Sequence, residues 1–117
     1  MRAVIIDDEE VSLEIDATII EATELFSSVK AFGHVDELLE YLSQEKVDVA
    51  FLDIIMDEAD GISLAMEVKR IQPDCKIIFV SGSRDYAMEA FQVYASGYLL
   101  KPITAEEIDE LMANING

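Results

Sequence analysis

Asp53 closes an apolar run that begins at Val47 and is interrupted only by Asp48. Asp7 and Asp8 close the run Val4-Ile5-Ile6, Ser81 closes Ile77-Ile78-Phe79-Val80, and Lys101 follows Tyr98-Leu99-Leu100. A carboxylate at the tip of a buried segment costs free energy unless a cation or hydrogen bonds meet it. Carboxylates brought together repel and raise one another's pKa until a cation binds. Oxygen donors with room left for water suit Mg²⁺. Such an ion can bridge a carboxylate and an incoming phosphoryl oxygen, Lys101 can reach a second oxygen, and Ser81 can donate a hydrogen bond to a third. Asp53 is then left as a nucleophile that forms an aspartyl phosphate, with positioning and charge neutralisation carrying the transfer. Singly, each residue has a plainer reading: acids and serines at strand ends cap helices, and lysines are solvated charges. Their placement at the ends of several different strands is what favours one shared site.

The elements between them are of two alternating kinds. Residues 4–6 form a short β-branched run, a buried strand. Val11, Ile15, Ile19 and Ala22 then recur at helical spacing among Glu14, Asp16, Thr18 and Glu21, an amphipathic helix. Residues 28–33 alternate weakly, as an edge strand does. Residues 36–45 return to the helical period through Leu38, Leu39 and Leu42, with Asp36 and Glu37 well placed in the first turn. Residues 47–53 are the central strand and 57–61 a loop. Residues 62–71 form a third helix stopped by Pro73. A strand over 76–81, a helix over 85–94 and a short strand over 97–100 follow. The last helix, 104–115, starts on a capping box of Thr104 and Glu107, with Ile103 and Ile108 as a hydrophobic staple.

Five strand–helix units with apolar strands predict an α/β domain: a parallel sheet, doubly wound, covered on both faces. In such sheets the site lies at the carboxyl ends of the strands, which is where the acids, the serine and the lysine stand.

The 117 residues suit one domain, 1–117, with a single core. No apolar run approaches the roughly 18 residues of a membrane span. Met1-Arg2-Ala3-Val4 leads straight into a strand, which leaves no room for a signal peptide and makes a cytoplasmic protein the expectation. One cysteine, Cys75, excludes an internal disulfide; beside Pro73 and Asp74 it reads as a loop thiol. His34 reads as a loop or capping residue, and Met56, Met66, Met88 and Met112 as core or helix-face filler. Eight basic against 25 acidic residues, a formal charge of −17, argue against direct nucleic-acid binding and favour cations and basic partners.

The segments Ile5-Ile6-Asp7-Asp8-Glu9, Leu52-Asp53-Ile54-Ile55-Met56, Asp60-Gly61, Phe79-Val80-Ser81-Gly82 and Tyr98-Leu99-Leu100-Lys101-Pro102 together resemble the receiver domain of bacterial two-component response regulators, over the whole chain. Residues 86–91 and 96–102 look most like receivers of LytTR-type transcription regulators. The resemblance implies a single flavodoxin-like (βα)5 domain of strand order 2-1-3-4-5. It implies that Asp53 is the phosphoacceptor, supplied by a sensor histidine kinase. Asp8, Asp53 and the backbone carbonyl of Ile55 then hold Mg²⁺, with Asp7 assisting through water. Lys101 contacts the phosphoryl group, Ser81 is the switch hydroxyl and Tyr98 the switch aromatic. The Lys101-Pro102 bond is expected to be cis. The face made by the fourth helix, fifth strand and last helix is expected to change on phosphorylation and to pair with itself or a target. Such a domain is a signalling phosphoacceptor that catalyses only its own phosphorylation and dephosphorylation.

Three positions depart from the family pattern. Asp57 stands where a proline usually follows Met56, which predicts a looser loop and an added charge near the metal. Gly82 replaces a commoner alanine and predicts a more mobile loop. Ile55 and Ser83 flank the site without a carboxylate or amide to hold an attacking water, which predicts slow self-dephosphorylation. Two other readings fit less well. One is a phosphorylation-independent interaction module of the same fold. The other is an Mg²⁺-dependent phosphatase with an aspartyl-phosphate intermediate; such enzymes place their acids as Asp-x-Asp, whereas Asp7 and Asp8 are adjacent.

Overall fold

The computed structural model describes residues 1–57 and 59–116; Glu58, within the predicted 57–61 loop, and Gly117 lie outside the described residues. The order is β1 (Arg2–Ile6), α1 (Glu10–Ala22), β2 (Ser28–Phe32), α2 (Val35–Gln44), β3 (Val49–Asp53), α3 (Gly61–Ile71), β4 (Lys76–Ser81), α4 (Ala87–Gln92), β5 (Gly97–Leu100) and α5 (Ala105–Asn116). The strands form one parallel sheet in the order β2-β1-β3-β4-β5. This is the flavodoxin-like doubly wound domain expected from the sequence.

Side chains alternate across a strand, so each central strand feeds two cores. Val4, Ile6, Ala50, Leu52, Ile77 and Phe79 pack on the face covered by α2 and α3, with Leu38, Leu42, Leu64 and Val68. Ala3, Ile5, Val49, Phe51, Ile78 and Val80 pack on the opposite face with Ala17 and Ile20 of α1 and Ile108 and Met112 of α5. The parity carries past the strand tips. Asp7 and Asp53 continue the α1 and α5 series, whereas Ser81 continues the Ile77–Phe79 series of the other face.

Several boundaries shift. The central strand starts at Val49 rather than at Val47; the Asp48 backbone already bonds Arg2 and Lys76 of the neighbouring strands, but Val47 turns away from them. The Val47 N–H donates to Gln72 Oε1 at 2.9 Å, and Asp48 accepts the Arg2 N–H at 2.7 Å. The fourth helix is shorter than the 85–94 period predicted. Phe91, read as part of its apolar stripe, is 80% exposed, and Tyr94 beyond it has φ 59°.

The largest correction concerns α1. The helix forms, but of the stripe Val11-Ile15-Ile19-Ala22 only Ile19 packs against the core: Val11 is 64% exposed and Ile15 54%. Asp16, Ala17 and Ile20 are the buried residues instead. The sequence holds two apolar stripes, since Leu13, Ala17 and Ile20 also recur at helical spacing, and packing selects the one that includes Asp16.

Smaller expectations divide. Thr104 Oγ1 accepts the Glu107 N–H at 3.2 Å and bonds Glu107 Oε1 at 3.0 Å, while Ile103 and Ile108 are buried together. His34 is the N-cap residue of α2, and its carbonyl accepts the Leu38 N–H. Met112 is in the core, and Met66 and Met88 lie on exposed helix faces. Cys75 lies in the loop between α3 and β4, as expected, but its thiol is buried in the core, and burial pushes its pKa up to about 11.

Candidate functional site

Parallel pairing brings the predicted residues to one end of the sheet. Asp7 and Asp8 follow β1, Asp53 ends β3, Ser81 ends β4 and Lys101 follows β5. Ligand oxygens of Asp7, Asp8 and Asp53 lie within 4.8 Å of one another. Lys101 Nζ donates to Asp7 Oδ2 at 2.8 Å and stands 3.9 Å from Asp53 Oδ2. Residues 94 apart thus share a hydrogen bond because four parallel crossovers return the chain to the same end of the sheet.

The three acids differ in their surroundings. Asp7 is buried, which favours its neutral form, but the Lys101 ammonium, the Glu9 N–H at 2.9 Å and the Ser12 hydroxyl outweigh burial and hold its pKa below the ordinary value. Asp53 lacks such support. Burial raises its pKa to about 7, Asp7 and Asp8 add repulsion, and the Lys101 charge offsets only part. Asp8 is exposed, and its Oδ2 accepts the backbone N–H of Asp57 at 2.7 Å. A proline at position 57 has no N–H to give. The substitution read as loosening the loop therefore supplies a tie between that loop and Asp8.

Backbone approach shapes the floor. The Gly61 N–H donates to the Ile54 carbonyl at 2.7 Å, and a Cβ at Gly61 would lie 2.2 Å from the Asp53 carbonyl oxygen. Only glycine lets α3 begin this close to the acid. Asp60 caps the same helix by accepting the Ser63 N–H at 2.8 Å. Ile55, two residues past Asp53, is 60% exposed.

Ser81 is fully buried, and its Oγ accepts the Ser83 N–H at 3.1 Å. The Tyr98 hydroxyl donates to the Ser83 carbonyl, and its ring packs 6.5 Å from that of Phe79. Ser83 therefore joins Ser81 to Tyr98. The Lys101 N–H donates to the Ser81 carbonyl at 2.8 Å, and the Lys101-Pro102 bond is cis.

Two residues at the site were not singled out from the sequence. Ser12 Oγ lies 3.0 Å from Lys101 Nζ, and Asp16 Oδ2 lies 4.0 Å from it. Burial raises the Asp16 pKa, and Lys101 opposes the rise. Asp16 was legible only as a solvent-facing member of α1, and the choice between its two stripes decides otherwise.

Three clustered carboxylate oxygens, one of them on an acid held near pH 7 by burial and like charge, fit a divalent cation. The fold and this acidic strand-tip pocket define a flavodoxin-like domain with a candidate divalent-cation site at the carboxyl end of its sheet. The response regulator receiver domain model matches residues 3–113, and the chain belongs to that family, the receivers of two-component systems. It is 28% identical over 116 residues to the sensory transduction protein LytR of Staphylococcus epidermidis, covering 99% of this chain and 46% of that protein. It is 30% identical over 112 residues to LytT of Enterococcus faecalis, covering 96% and 46%. The chain thus spans about half the length of the curated relatives it matches, and these relatives bear out the likeness to LytTR-type regulators. Among solved structures, the response regulatory domain of mrkE from Klebsiella pneumoniae superposes with a TM-score of 0.85 at 28% identity, covering 99% of this chain and 95% of that one. The Thermotoga maritima response regulator TrrA, in complex with Mg²⁺-BeF, shares the fold at a TM-score of 0.83 and 22% identity, covering 97% of each chain. Among the described residues no helix is long and apolar enough to cross a membrane.

Proposed function

We propose that this is a cytoplasmic domain in which Asp53 accepts a phosphoryl group from the phosphohistidine of a sensor kinase, in a reaction that needs Mg²⁺. An Asp53 oxygen attacks phosphorus, the P–N bond of the donor breaks, and the departing imidazole takes up a proton. Asp8, Asp53 and the Ile55 carbonyl are the residues to hold the ion, with Asp7 acting through water. When bound there, Mg²⁺ would supply positive charge to offset that of the carboxylates and the phosphoryl oxygens. Asp53, held near pH 7 by burial and its neighbours, is then ionised and nucleophilic at neutral pH. Lys101 turns toward the phosphoryl group from its bond with Asp7.

Ser81 gives up the Ser83 N–H to donate to the same group. Because Ser83 also holds the Tyr98 hydroxyl, that movement frees the Tyr98 ring. The face of α4, β5 and α5 changes with it, a two-state element biased by a local charge. This face is the one to pair with a second copy or a target; α4 already exposes Met88 and Phe91. Nucleic-acid contact is left to other parts of such regulators, in keeping with the −17 charge here. Dephosphorylation is slow, because neither Ile55 nor Ser83 positions a water; loss of label within seconds would contradict this.

The observation that carries the reading is the convergence of Asp7, Asp8 and Asp53 within 4.8 Å, with Lys101 3.9 Å from Asp53. The test is incubation with Mg²⁺ and a small acyl phosphate, read by intact mass. One phosphoryl group is expected on the unsubstituted protein and none on Asp53→Ala. Undiminished labelling of Asp53→Ala sinks the assignment.

A further inference from the structure

The α1 side of the pocket carries more charge than the transfer itself requires. Asp16 is 5% exposed, and its Oδ2 has no hydrogen-bond partner among the described residues. The group's polar company is the Ser12 hydroxyl and the Lys101 charge; a buried carboxylate oxygen without a hydrogen bond still costs free energy that an apolar side chain here would not. Packing therefore does not account for an acid here. What the acid does face is Lys101: Asp16 Oδ2 is 4.0 Å from Nζ, and Asp53 Oδ2 is 3.9 Å from it. At matched distances the two carboxylates attract the ammonium comparably. Ser12, one helical turn earlier on α1, adds a direct bond at 3.0 Å. The charged and polar groups facing Lys101 are thus Asp7 from β1, Asp53 from β3, and Ser12 and Asp16 from α1.

The geometry points to Asp16 and Ser12 as positioning residues that hold the Lys101 ammonium toward α1, and so set how readily it passes to a group bound on Asp53. The inference rests on the reading of Asp53 as the phosphoacceptor. When Lys101 advances on a phosphoryl group, Asp16 is left as an uncompensated buried charge, which opposes the move. Neutralising Asp16 removes the opposition while keeping the side-chain shape.

The test measures beryllofluoride affinity, with saturating Mg²⁺, in the unsubstituted protein, Asp16→Asn, Ser12→Ala, Lys101→Met and the double variant Asp16→Asn/Lys101→Met. Asp16→Asn is expected to bind about tenfold tighter and Ser12→Ala about threefold, as for contacting residues in one network. In the Lys101→Met background, Asp16→Asn is expected to change affinity less than twofold. A packing effect of Asp16 would persist without Lys101, so an equal gain in both backgrounds overturns the inference. So does an affinity within twofold of the unsubstituted protein for both Asp16→Asn and Ser12→Ala. Ser12→Ala carries the test alone if Asp16→Asn does not fold. If the unsubstituted protein shows no Asp53-dependent binding, the phosphoacceptor reading fails and takes the positioning role with it. Binding by that protein with flat α1 variants overturns the positioning role only.

Discussion

The two faces of the sheet end in different chemistry. On the α1 side, Asp7, Asp53, Asp16 and Lys101 put three carboxylates around one ammonium, all wholly or largely removed from water. On the α3 and α4 side, Ser81, Ser83 and Tyr98 form a chain of neutral hydrogen bonds. The charged face is expensive to assemble and cheap to improve, since one added cation relieves several repulsions at once. The neutral face costs little to hold and little to rearrange, because each of its bonds is worth about 1 kcal/mol net. Under the proposed function, metal binding and the switch fall mainly on opposite sides of the sheet, which are in contact through the Lys101 N–H on the Ser81 carbonyl.

That contrast breaks most visibly at Lys101. Lys101→Met leaves three carboxylates without their counter-charge and is expected to cost about 3–5 kcal/mol at neutral pH. Urea unfolding at pH 7.5 and at pH 4 checks the cause: the loss should shrink at the lower pH, where the carboxylates take up protons. A loss that is equal at both values would assign it to packing.

Asp53→Asn is the next largest change, and it has the opposite sign. The Asp53 carboxyl sits near pH 7 in the folded chain against an ordinary 3.8, raised first by burial. It therefore binds its proton more tightly when folded. Its contribution to stability is complete below pH 4 and is lost as pH rises through 7. Without divalent ions, Asp53→Asn is expected to be more stable than the unsubstituted protein by about 2 kcal/mol at pH 8, converging as pH falls toward 4. Millimolar Mg²⁺ should raise the melting temperature of the unsubstituted protein more than that of the variant. The absence of any Mg²⁺ shift would favour an interaction module that takes no phosphoryl group.

On the neutral face the stakes are lower. Tyr98→Phe removes the hydroxyl from the Ser83 carbonyl and is expected to cost about 1 kcal/mol in thermal unfolding. The rate of labelling by a small acyl phosphate should stay within about twofold, because the chemistry lies across the sheet. A large fall in that rate would show the two faces to be one functional unit.

How far this division could be read beforehand depends on which rule places each residue. Strand tips were legible, since apolar runs ending in Asp7, Asp53, Ser81 and Lys101 leave little freedom in a parallel sheet. The sides were also implicit there, because strand parity sets Asp53 with Phe51 and Ser81 with Phe79. Helix α1 was not, since its two apolar stripes have similar periodicity and only packing chose the one that buries Asp16. Gly61 was legible as part of a motif, but its reason, a carbonyl 2.2 Å from a would-be Cβ, exists only in three dimensions.

Asp57 is the same kind of case and gives the finest test of the charged face. Its backbone N–H ties the loop to Asp8, while its carboxylate is exposed. The two parts are separable. Asp57→Ala keeps the N–H and removes only an exposed charge, which solvent and salt screen. Mg²⁺ affinity is expected to fall less than threefold at low salt, and the difference should vanish near 0.5 M salt, where the screening length is only about 4 Å. Asp57→Pro removes the N–H as well, so any change it shows that survives high salt belongs to the tie on Asp8. If both variants behave alike at every salt concentration, the bond to Asp8 has no part in presenting that acid, and the charge alone distinguishes this loop.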